Sequence, residues 1–154
     1  MRQQEEVGEK IVSTNRKARH DFTILETYEA GIVLKGPEVK SLRSGNASLV
    51  DGYASIMGGE VWLVGTHIGP YEHGSYANVE PTRRRKLLLH KNEIRKISGQ
   101  TKDRSLTLVP LKLYFRGGVA KIQLGLARGK KEYDKRHDIA KRDAERMIRR
   151  RLAK

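Results

Sequence analysis

The stretch SLTLVPLKLYFRGGVAKIQLGLAR, residues 105–128, decides the fold. Two strand-like runs flank Gly117-Gly118, a dipeptide that tolerates the positive φ angles of a tight hairpin turn. In the second run apolar and polar residues alternate, so a strand would separate them onto opposite faces. The apolar set is Ala120, Ile122, Leu124 and Leu126, and the polar set is Lys121 and Gln123. Pro110 interrupts the first run and predicts a bulge or an edge position there.

The same strand-turn-strand pattern occurs in the N-terminal half. GYASIMGGEVWLVGTHI, residues 52–68, has two strand-like runs around Gly58-Gly59. FTILETY (22–28) and GIVLK (31–35) are also rich in β-branched and aromatic residues, with a break or bulge predicted at Glu29-Ala30-Gly31.

Two segments are predicted to be helical. In GPEVKSLRSG (36–45), Pro37 suits a first helical turn and Gly45 a C-terminal stop. In RKLLLHKNEIRKISG (85–99), apolar residues recur near one helical stripe, and Gly99 is predicted to end the helix.

About six short antiparallel strands with two or three short flanking helices predict a mainly β protein, a small closed OB-like barrel. We expect a flexible N-terminal arm over residues 1–15, the barrel over 16–128, and a basic C-terminal tail over 129–154.

The charge of the chain points to a polyanionic partner. The 154 residues contain 32 Lys+Arg and 18 Asp+Glu, for a formal net charge of +14. Nucleic acid is the first partner to consider for such a surface. The chain has no cysteine, and no apolar run approaches the roughly 20 residues that span a bilayer. We therefore expect a cytoplasmic protein that does not bind membranes.

Basic residues cluster near residues 15–20, near residues 82–86 and in the tail. Lys17 and Arg19, like Arg83 and Arg85, occupy alternate positions and would share a side of an extended segment. Tyr28, His20 and His90 are candidates for stacking on unpaired bases. The candidate RNA contacts from the first two clusters are Arg16, Lys17, Arg19, His20, Arg83 and Arg85.

No pattern in the sequence specifies catalysis, a metal or a cofactor, so we predict a protein that is not an enzyme and that needs neither metal nor cofactor. GLARGKK, residues 125–131, has one residue too few between its glycines for a phosphate-binding loop and lacks the hydroxyl residue after the lysine. No two histidines have the i, i+4 spacing of a helical zinc site. Dispersed carboxylates leave a metal-dependent nuclease as one alternative. These carboxylates are Glu26, Glu29, Asp51 and Glu60.

The tail, GKKEYDKRHDIAKRDAERMIRRRLAK, has 11 Lys+Arg and 5 Asp+Glu, for a net +6. As a helix it would carry only a narrow apolar stripe, too small to dock on a core, and helix nucleation would leave it marginal. We predict a segment that is disordered alone and becomes helical in a phosphate-lined groove. The stripe consists of Ala140, Ala144, Ile148 and Leu152.

Four ordered motifs together closely resemble the bacterial SsrA-binding proteins, the small protein B family. The motifs are NRKARHDF, ETYEAGIVLKGPEVKSLRSG, PTRRRKLLLHKNEI and GKKEYDKRHDIAKRD. The resemblance implies an OB-like barrel that binds the tRNA-like domain of transfer-messenger RNA and delivers it to ribosomes stalled without a codon. It also implies a monomer that works indirectly with elongation factor Tu and alanyl-tRNA synthetase through the charged RNA.

The resemblance places Glu29, Leu88, His90 and Lys121 on the RNA-binding face. Leu88 would pack on an exposed base or sugar, and His90 would stack on the RNA or donate to it. Glu29 would either accept from the edge of a guanine or orient a neighbouring arginine.

The resemblance also implies that the tail works at the ribosomal decoding centre and in the empty mRNA channel. Gly129 would be a hinge, Tyr133 would stack on a ribosomal RNA base, and the basic residues would contact phosphates. The tail residues concerned are Gly129, Lys130, Lys131, Tyr133, Asp134, Lys135, Arg136, Lys141 and Arg142. The main alternative is a basic structural ribosomal protein, which would show little preference for a tRNA-like ligand.

Overall fold

The structure is a computed structural model that describes residues 8–71, 79–130 and 132–152, excepting the side chains of residues 132–138 and 152. Its strands are β1 (Glu9–Thr14), β2 (Phe22–Ile32), β3 (Ala47–Ser48), β4 (Tyr53–Met57), β5 (Glu60–Val64), β6 (His67–Ile68), β7 (Arg85–Leu88), β8 (Leu106–Arg116) and β9 (Val119–Gly129). Its helices are α1 (Arg16–Asp21), α2 (Gly36–Arg43), α3 (Lys91–Gln100) and α4 (Glu132–Leu152).

The large sheet closes on itself. Its antiparallel strands follow the order β1-β8-β4-β5-β7-β2-β9, and β9 pairs again with β8, so six strands form a ring. β4 pairs with β8 at Leu108, and β1 pairs with β8 over residues 112–116. β3 and β6 form a separate two-stranded sheet. This arrangement confirms the predicted small OB-like barrel with flanking helices.

Both glycine pairs form the predicted hairpin turns. Gly58 and Gly59 have φ angles of 61° and 76°, and Gly117 and Gly118 have φ angles of 58° and 79°. Positive φ at both central residues gives the turn a twist that matches the twist of antiparallel strands. The hairpins β4–β5 and β8–β9 therefore follow directly from the sequence.

The alternation along β9 builds the core as predicted. Ile122 and Leu124 are fully buried, and Leu126 is 3% exposed. The register of β8 against β9 shifts between Pro110 and Lys112, which confirms the bulge predicted at the proline. The side chains of the main core come from the strands of the ring together with α2 and α3.

Three local predictions are wrong. β2 continues through Glu29-Ala30-Gly31, because all three residues pair with β9 and Gly31 also pairs with β7, and its bulge lies between Ile24 and Glu26. Residues 85–88 form strand β7 between β5 and β2 rather than the start of a helix. α3 begins only at Lys91, and Gly99 lies inside it.

Part of the predicted N-terminal arm, residues 1–15, belongs to the sheet. Residues 9–14 are strand β1, paired with β8 and therefore part of the sheet, while residues 1–7 lie outside the described part of the chain. Asn15, which follows β1, is buried, and its side-chain amide donates to the carbonyl of Pro110 (2.9 Å). Its carbonyl oxygen accepts from the N–H of Ala18 (3.1 Å), which caps α1. Asn15 thus joins β1, α1 and the bulge of β8.

Candidate nucleic-acid interface

One outward row of side chains crosses five neighbouring strands. The strand register pairs Ile11 with Tyr114, Tyr114 with Lys121, Lys121 with Gly31, and Gly31 with Leu88. Strand alternation directs Lys121 away from the core, because its neighbour Ile122 is fully buried. We call the surface around this row the strand face. It is defined by Glu9, Ile11, Glu29, Gly31, Leu88, Lys112, Tyr114, Arg116, Val119 and Lys121.

The strand face brings together three residues that the resemblance assigned to RNA binding: Glu29, Leu88 and Lys121. Leu88 is 52% exposed at the end of β7, although it is aliphatic. A Cβ atom at Gly31 would lie 3.4 Å from the Leu88 Cβ, so the glycine leaves the backbone accessible between Leu88 and Lys121. His90 lies two residues after the end of β7 and is exposed at the start of α3.

Glu29 orients an arginine, which was one of the two roles the sequence left open. Its Oε2 lies 2.6 Å from Arg116 Nη1 and also accepts from the Tyr114 hydroxyl. On its other side, Arg116 Nη2 donates to Glu9 Oε2 (2.5 Å), and Lys112 Nζ lies 2.8 Å from Glu9 Oε1. Arg116 is thus held between two carboxylates.

These contacts shift the protonation equilibria of the groups involved. Hydrogen bonds from Lys112 and Arg116 lower the pKa of Glu9 below its usual value. Burial, followed by the hydrogen bond to Glu29, raises the pKa of Tyr114 well above its usual range. At neutral pH Glu9 is therefore ionised, and Tyr114 is a neutral hydrogen-bond donor.

Sequence reasoning missed the contribution of β8 to this surface. The signal was present in KLYFR, residues 112–116, where Leu113 and Phe115 join the main core, so that Lys112, Tyr114 and Arg116 lie on the other side of the strand. Tyr114 is only 2% exposed there, with Lys112 Nζ and the Arg116 guanidinium carbon 4.7 and 5.5 Å from the centre of its ring. The residues missed are Lys112, Tyr114 and Arg116.

The first basic cluster forms a helix rather than an extended segment. α1 covers residues 16–21, so Lys17 and Arg19 do not share a side, contrary to the prediction. Ala18 is buried against Leu111 and Ala127, which anchors α1 on the outer side of β8 and β9. Its basic side chains Arg16, Lys17 and Arg19 are exposed, and His20 is half-buried with Nδ1 3.0 Å from Asp21 Oδ1.

α1 and α4 face each other across a groove of about 450 Å³. It is lined by Arg16, Arg19, His20, Lys130, Lys141, Arg142 and Glu145. Two residue sets predicted for different ligands, the barrel cluster and the tail, therefore meet in one groove.

The second basic cluster is largely structural. Arg85 is fully buried, so its prediction as an RNA contact is wrong. Its Nε donates to Glu38 Oε2 (2.7 Å), and its two terminal nitrogens donate to the carbonyls of Thr66 and Pro81 (2.8 and 2.9 Å). Arg83 also binds Glu38, through Nη2 at 2.5 Å, and its side chain is only 27% exposed. We call Glu38, Arg83 and Arg85 the buried cluster.

Tyr28 is likewise not available for stacking. It is 7% exposed, and its hydroxyl contacts Gln100 Oε1 (2.8 Å) and Glu26. Burial, reinforced by the hydrogen bond to Glu26, raises the pKa of this hydroxyl above its usual range.

The predicted tail residues lie in two elements. Gly129 ends β9 opposite Phe22 and has no positive φ, and the N–H of Lys130 donates to the Asp21 carbonyl (2.9 Å). The ordered barrel thus extends slightly past residue 128. Lys131 lies outside the described residues, and the backbone of Tyr133, Asp134, Lys135 and Arg136 is helical. Lys141 and Arg142 are exposed on α4.

The described part of the chain shows neither a cluster of metal ligands nor a helix suited to a membrane. Within residues 8–71, 79–130 and 132–152, no three His, Asp or Glu side chains come together as metal ligands. None of the helices in those ranges is long and apolar enough to cross a membrane.

A closed, strongly basic OB-like barrel with cations and exposed aliphatic side chains on one face is the architecture of a small nucleic-acid-binding protein. The family model "SmpB protein" matches residues 12–154, and the chain belongs to this family. The SsrA-binding protein of Carboxydothermus hydrogenoformans is 61% identical over 140 residues, covering 91% of this chain and 94% of that protein. The SsrA-binding protein of Nocardia farcinica is 56% identical over 149 residues, covering 97% and 93%.

A solved structure described as "tmRNA-SmpB: a journey to the center of the bacterial ribosome" contains a similar chain. The two share 59% sequence identity with a TM-score of 0.66, over 77% of this chain and 84% of that one. The relatives are named for a binding partner and not for a reaction, which confirms the prediction that the chain is not an enzyme.

Proposed function

We propose that this chain binds tmRNA, the SsrA RNA, and delivers it to ribosomes stalled on mRNA that lacks a stop codon. The observation that carries the proposal is the strand face. There the fold gathers Glu29, Leu88 and Lys121 from three separate strands onto one outward surface. An exposed leucine beside a cation suits an RNA loop, in which unpaired bases offer both an apolar ring and neighbouring phosphates.

The basic helix α1 supplies the second part of the RNA-binding surface. Arg16, Lys17 and Arg19 project from α1, which is anchored on the same outer side of β9 as Lys121 but several residues away along the strand. Phosphate contacts of this kind provide affinity through counterion release, while the strand face provides selectivity. This division favours a folded RNA as the ligand, because it requires phosphates and unpaired bases at a fixed spacing.

The tail acts in a different step. In α4, all described side chains from Ile139 to Arg151 are exposed, so little burial stabilises the helix in the free protein. We infer that the tail becomes stably helical only on the ribosome, where its basic residues contact the RNA walls of the decoding centre and of the empty mRNA channel. Longer mRNA would fill the same channel, so tail folding tests whether the channel is vacant.

The cellular setting follows from this role. The protein works in the cytoplasm as a monomer, and it meets elongation factor Tu and alanyl-tRNA synthetase only indirectly, through the charged RNA. It needs no cofactor or metal of its own.

The barrel part of the proposal is tested with two matched leucines. Leu88 and Leu25 are 52% and 48% exposed, both on strands of the ring, but only Leu88 lies on the strand face. We expect Leu88→Ala to weaken tmRNA binding about tenfold, since base or sugar contacts contribute roughly 1–3 kcal/mol. Leu25→Ala should bind like the wild type. Equal effects of the two changes in a filter-binding assay would contradict the assignment.

The tail part is tested in the same assay by a chain ending at Lys130, which keeps the backbone hydrogen bond to Asp21. This chain should retain tmRNA binding and lose peptide tagging on stalled ribosomes. A wild-type protein that preferred ribosomal RNA to tmRNA would favour a structural ribosomal role instead.

A further inference from the structure

The two carboxylates that hold Arg116, those of Glu9 and Glu29, differ in how many of their oxygens have a partner within the protein. Glu9 uses both oxygens, Oε1 for Lys112 (2.8 Å) and Oε2 for Arg116 (2.5 Å). Glu29 uses only Oε2, which receives both Arg116 and the Tyr114 hydroxyl. Among the described residues none donates to Glu29 Oε1, and the side chain is 38% exposed. One carboxylate oxygen on the strand face is therefore open to a donor from outside.

The local charge does not suit a phosphate. Glu9 and Glu29 balance the charges of Lys112 and Arg116, so this part of the face is formally neutral in a chain with a net charge of +14. A phosphate offers only acceptors and would be repelled by the open carboxylate oxygen. An unpaired nucleobase instead presents a donor beside an acceptor on its edge, and this pattern matches Glu29 Oε1 next to the guanidinium.

Arg116 is fixed from three sides. Its terminal nitrogens bind Glu29 and Glu9, and the guanidinium carbon lies 5.5 Å from the centre of the Tyr114 ring. The side chain nevertheless remains 45% exposed, so N–H groups still face solvent. Val119, which pairs with Arg116 across the hairpin and is 54% exposed, offers an apolar surface beside it.

We propose that Arg116 reads an unpaired base of the bound RNA and that Glu9 positions it for this task. The base donates an N–H to Glu29 Oε1, accepts from Arg116, and rests its ring on Val119. This inference rests on the proposed function and adds β1 and β8 to the RNA-binding surface.

The test measures the affinity of full-length variants for tmRNA as a function of salt concentration. Arg116→Ala should weaken binding about tenfold, the effect of losing one base-edge contact. The slope of log Kd against log salt should stay unchanged, because no phosphate contact is lost. Arg116→Lys should not restore affinity, since an ammonium group lacks the planar fork. Loss of about 0.7–0.9 from the slope, with rescue by lysine, would show a phosphate contact and overturn the inference.

The positioning role of Glu9 is tested by a double-mutant cycle. Glu9→Gln should weaken binding about threefold in the wild type and have no effect in the Arg116→Ala background, because residues that act through one another are coupled. Arg104→Ala is the control, since Arg104 is exposed at the opposite end of β8, roughly 30 Å away, and should bind normally. An equal effect of Glu9→Gln in both backgrounds would contradict the positioning role.

Two different failures can be told apart. If the wild type binds tmRNA no better than an unrelated RNA of equal length, the proposed function fails, and this inference fails with it. If the wild type prefers tmRNA and Arg116→Ala binds equally well, only the inference is overturned. Thermal melting of each variant verifies that it is folded.

Discussion

The buried cluster and the strand face both pair carboxylates with guanidinium groups, but the first stabilises the fold and the second is open to a ligand. In the buried cluster one carboxylate, Glu38, lies between two arginines, and on the strand face one arginine, Arg116, lies between two carboxylates. Glu38 and Arg85 have side-chain exposures of 2% and 0%, whereas Glu29 and Arg116 have 38% and 45%. Burial, rather than residue type, separates a structural ion cluster from a surface able to meet a ligand.

The two regions also differ in how many of the hydrogen-bonding positions of their charged groups have partners within the protein. Each of the three guanidinium nitrogens of Arg85 donates to an acceptor, Glu38 or one of two carbonyl oxygens, and the side chain is fully buried, so no ligand can reach it. Desolvated charges need such complete pairing, because an uncompensated buried charge costs several kcal/mol. Arg116 and Glu29 keep free donor and acceptor positions, which water can satisfy until a ligand arrives.

The largest effect is expected from Glu38→Ala, which removes the carboxylate from the buried cluster. The guanidinium of Arg85 would remain buried without a counter-charge, so the free energy of unfolding should fall by roughly 3–5 kcal/mol. Urea denaturation followed by circular dichroism measures this loss. Glu29→Ala makes the same chemical change on the strand face and should cost much less, about 1 kcal/mol, because Arg116 stays solvent-exposed and only the Tyr114 hydroxyl loses a hydrogen bond. Equal losses would show that burial does not distinguish the two clusters.

A smaller effect concerns the pH dependence of stability. Burial alone would raise the pKa of Glu38, but hydrogen bonds from Arg83, the Lys35 N–H and Arg85 outweigh it and lower the pKa below 4.5. Glu38 therefore stabilises the fold fully above pH 4.5, and this contribution is lost as the pH falls through the lowered pKa. Arg83→Ala removes a hydrogen bond that lowers it, so Glu38 should become protonated at a higher pH.

The measurement for this prediction is an acid titration of unfolding. The midpoint for Arg83→Ala should lie at higher pH than that of the wild type. Arg104→Ala also removes one exposed positive charge but is remote from Glu38 in the chain, so its midpoint should match the wild type. If the midpoint for Arg83→Ala stayed at the wild-type value, protonation of Glu38 would not contribute to acid unfolding, and the prediction would be wrong.

The barrel was predictable because its signals are local. The glycine pairs at 58–59 and 117–118 set the turns, and the alternation along β9 set which face is buried. The errors arose where pairing across the sheet overrides local propensity. The local pattern of residues 85–88 predicts part of a helix, but these residues form a strand because they pair with β5 on one side and β2 on the other.

The site was predictable only in part, for a related reason. The resemblance identified Glu29, Leu88 and Lys121, but alternation in β8 alone did not reveal that Arg116 would lie beside Glu29. That contact joins residues from different strands, and it depends on how β1, β8, β9 and β2 align in the sheet. Nor could composition separate Arg85 from Arg83, because the two differ in burial and not in chemistry.

The smallest expected effect is the salt dependence of the Glu29→Ala difference. At low ionic strength the variant should unfold at a slightly lower urea concentration than the wild type, because Arg116 loses one of its two carboxylates. In 1 M salt the screening length is about 3 Å, so attraction between exposed charges contributes almost nothing. The difference should then shrink to that of the lost hydrogen bond from the buried Tyr114 hydroxyl, which salt does not screen. The Glu38→Ala loss should persist in 1 M salt, since solvent ions do not reach a buried pair. If high salt removed the Glu38→Ala difference as well, the buried cluster would behave as a surface network, and the contrast between the two regions would fail.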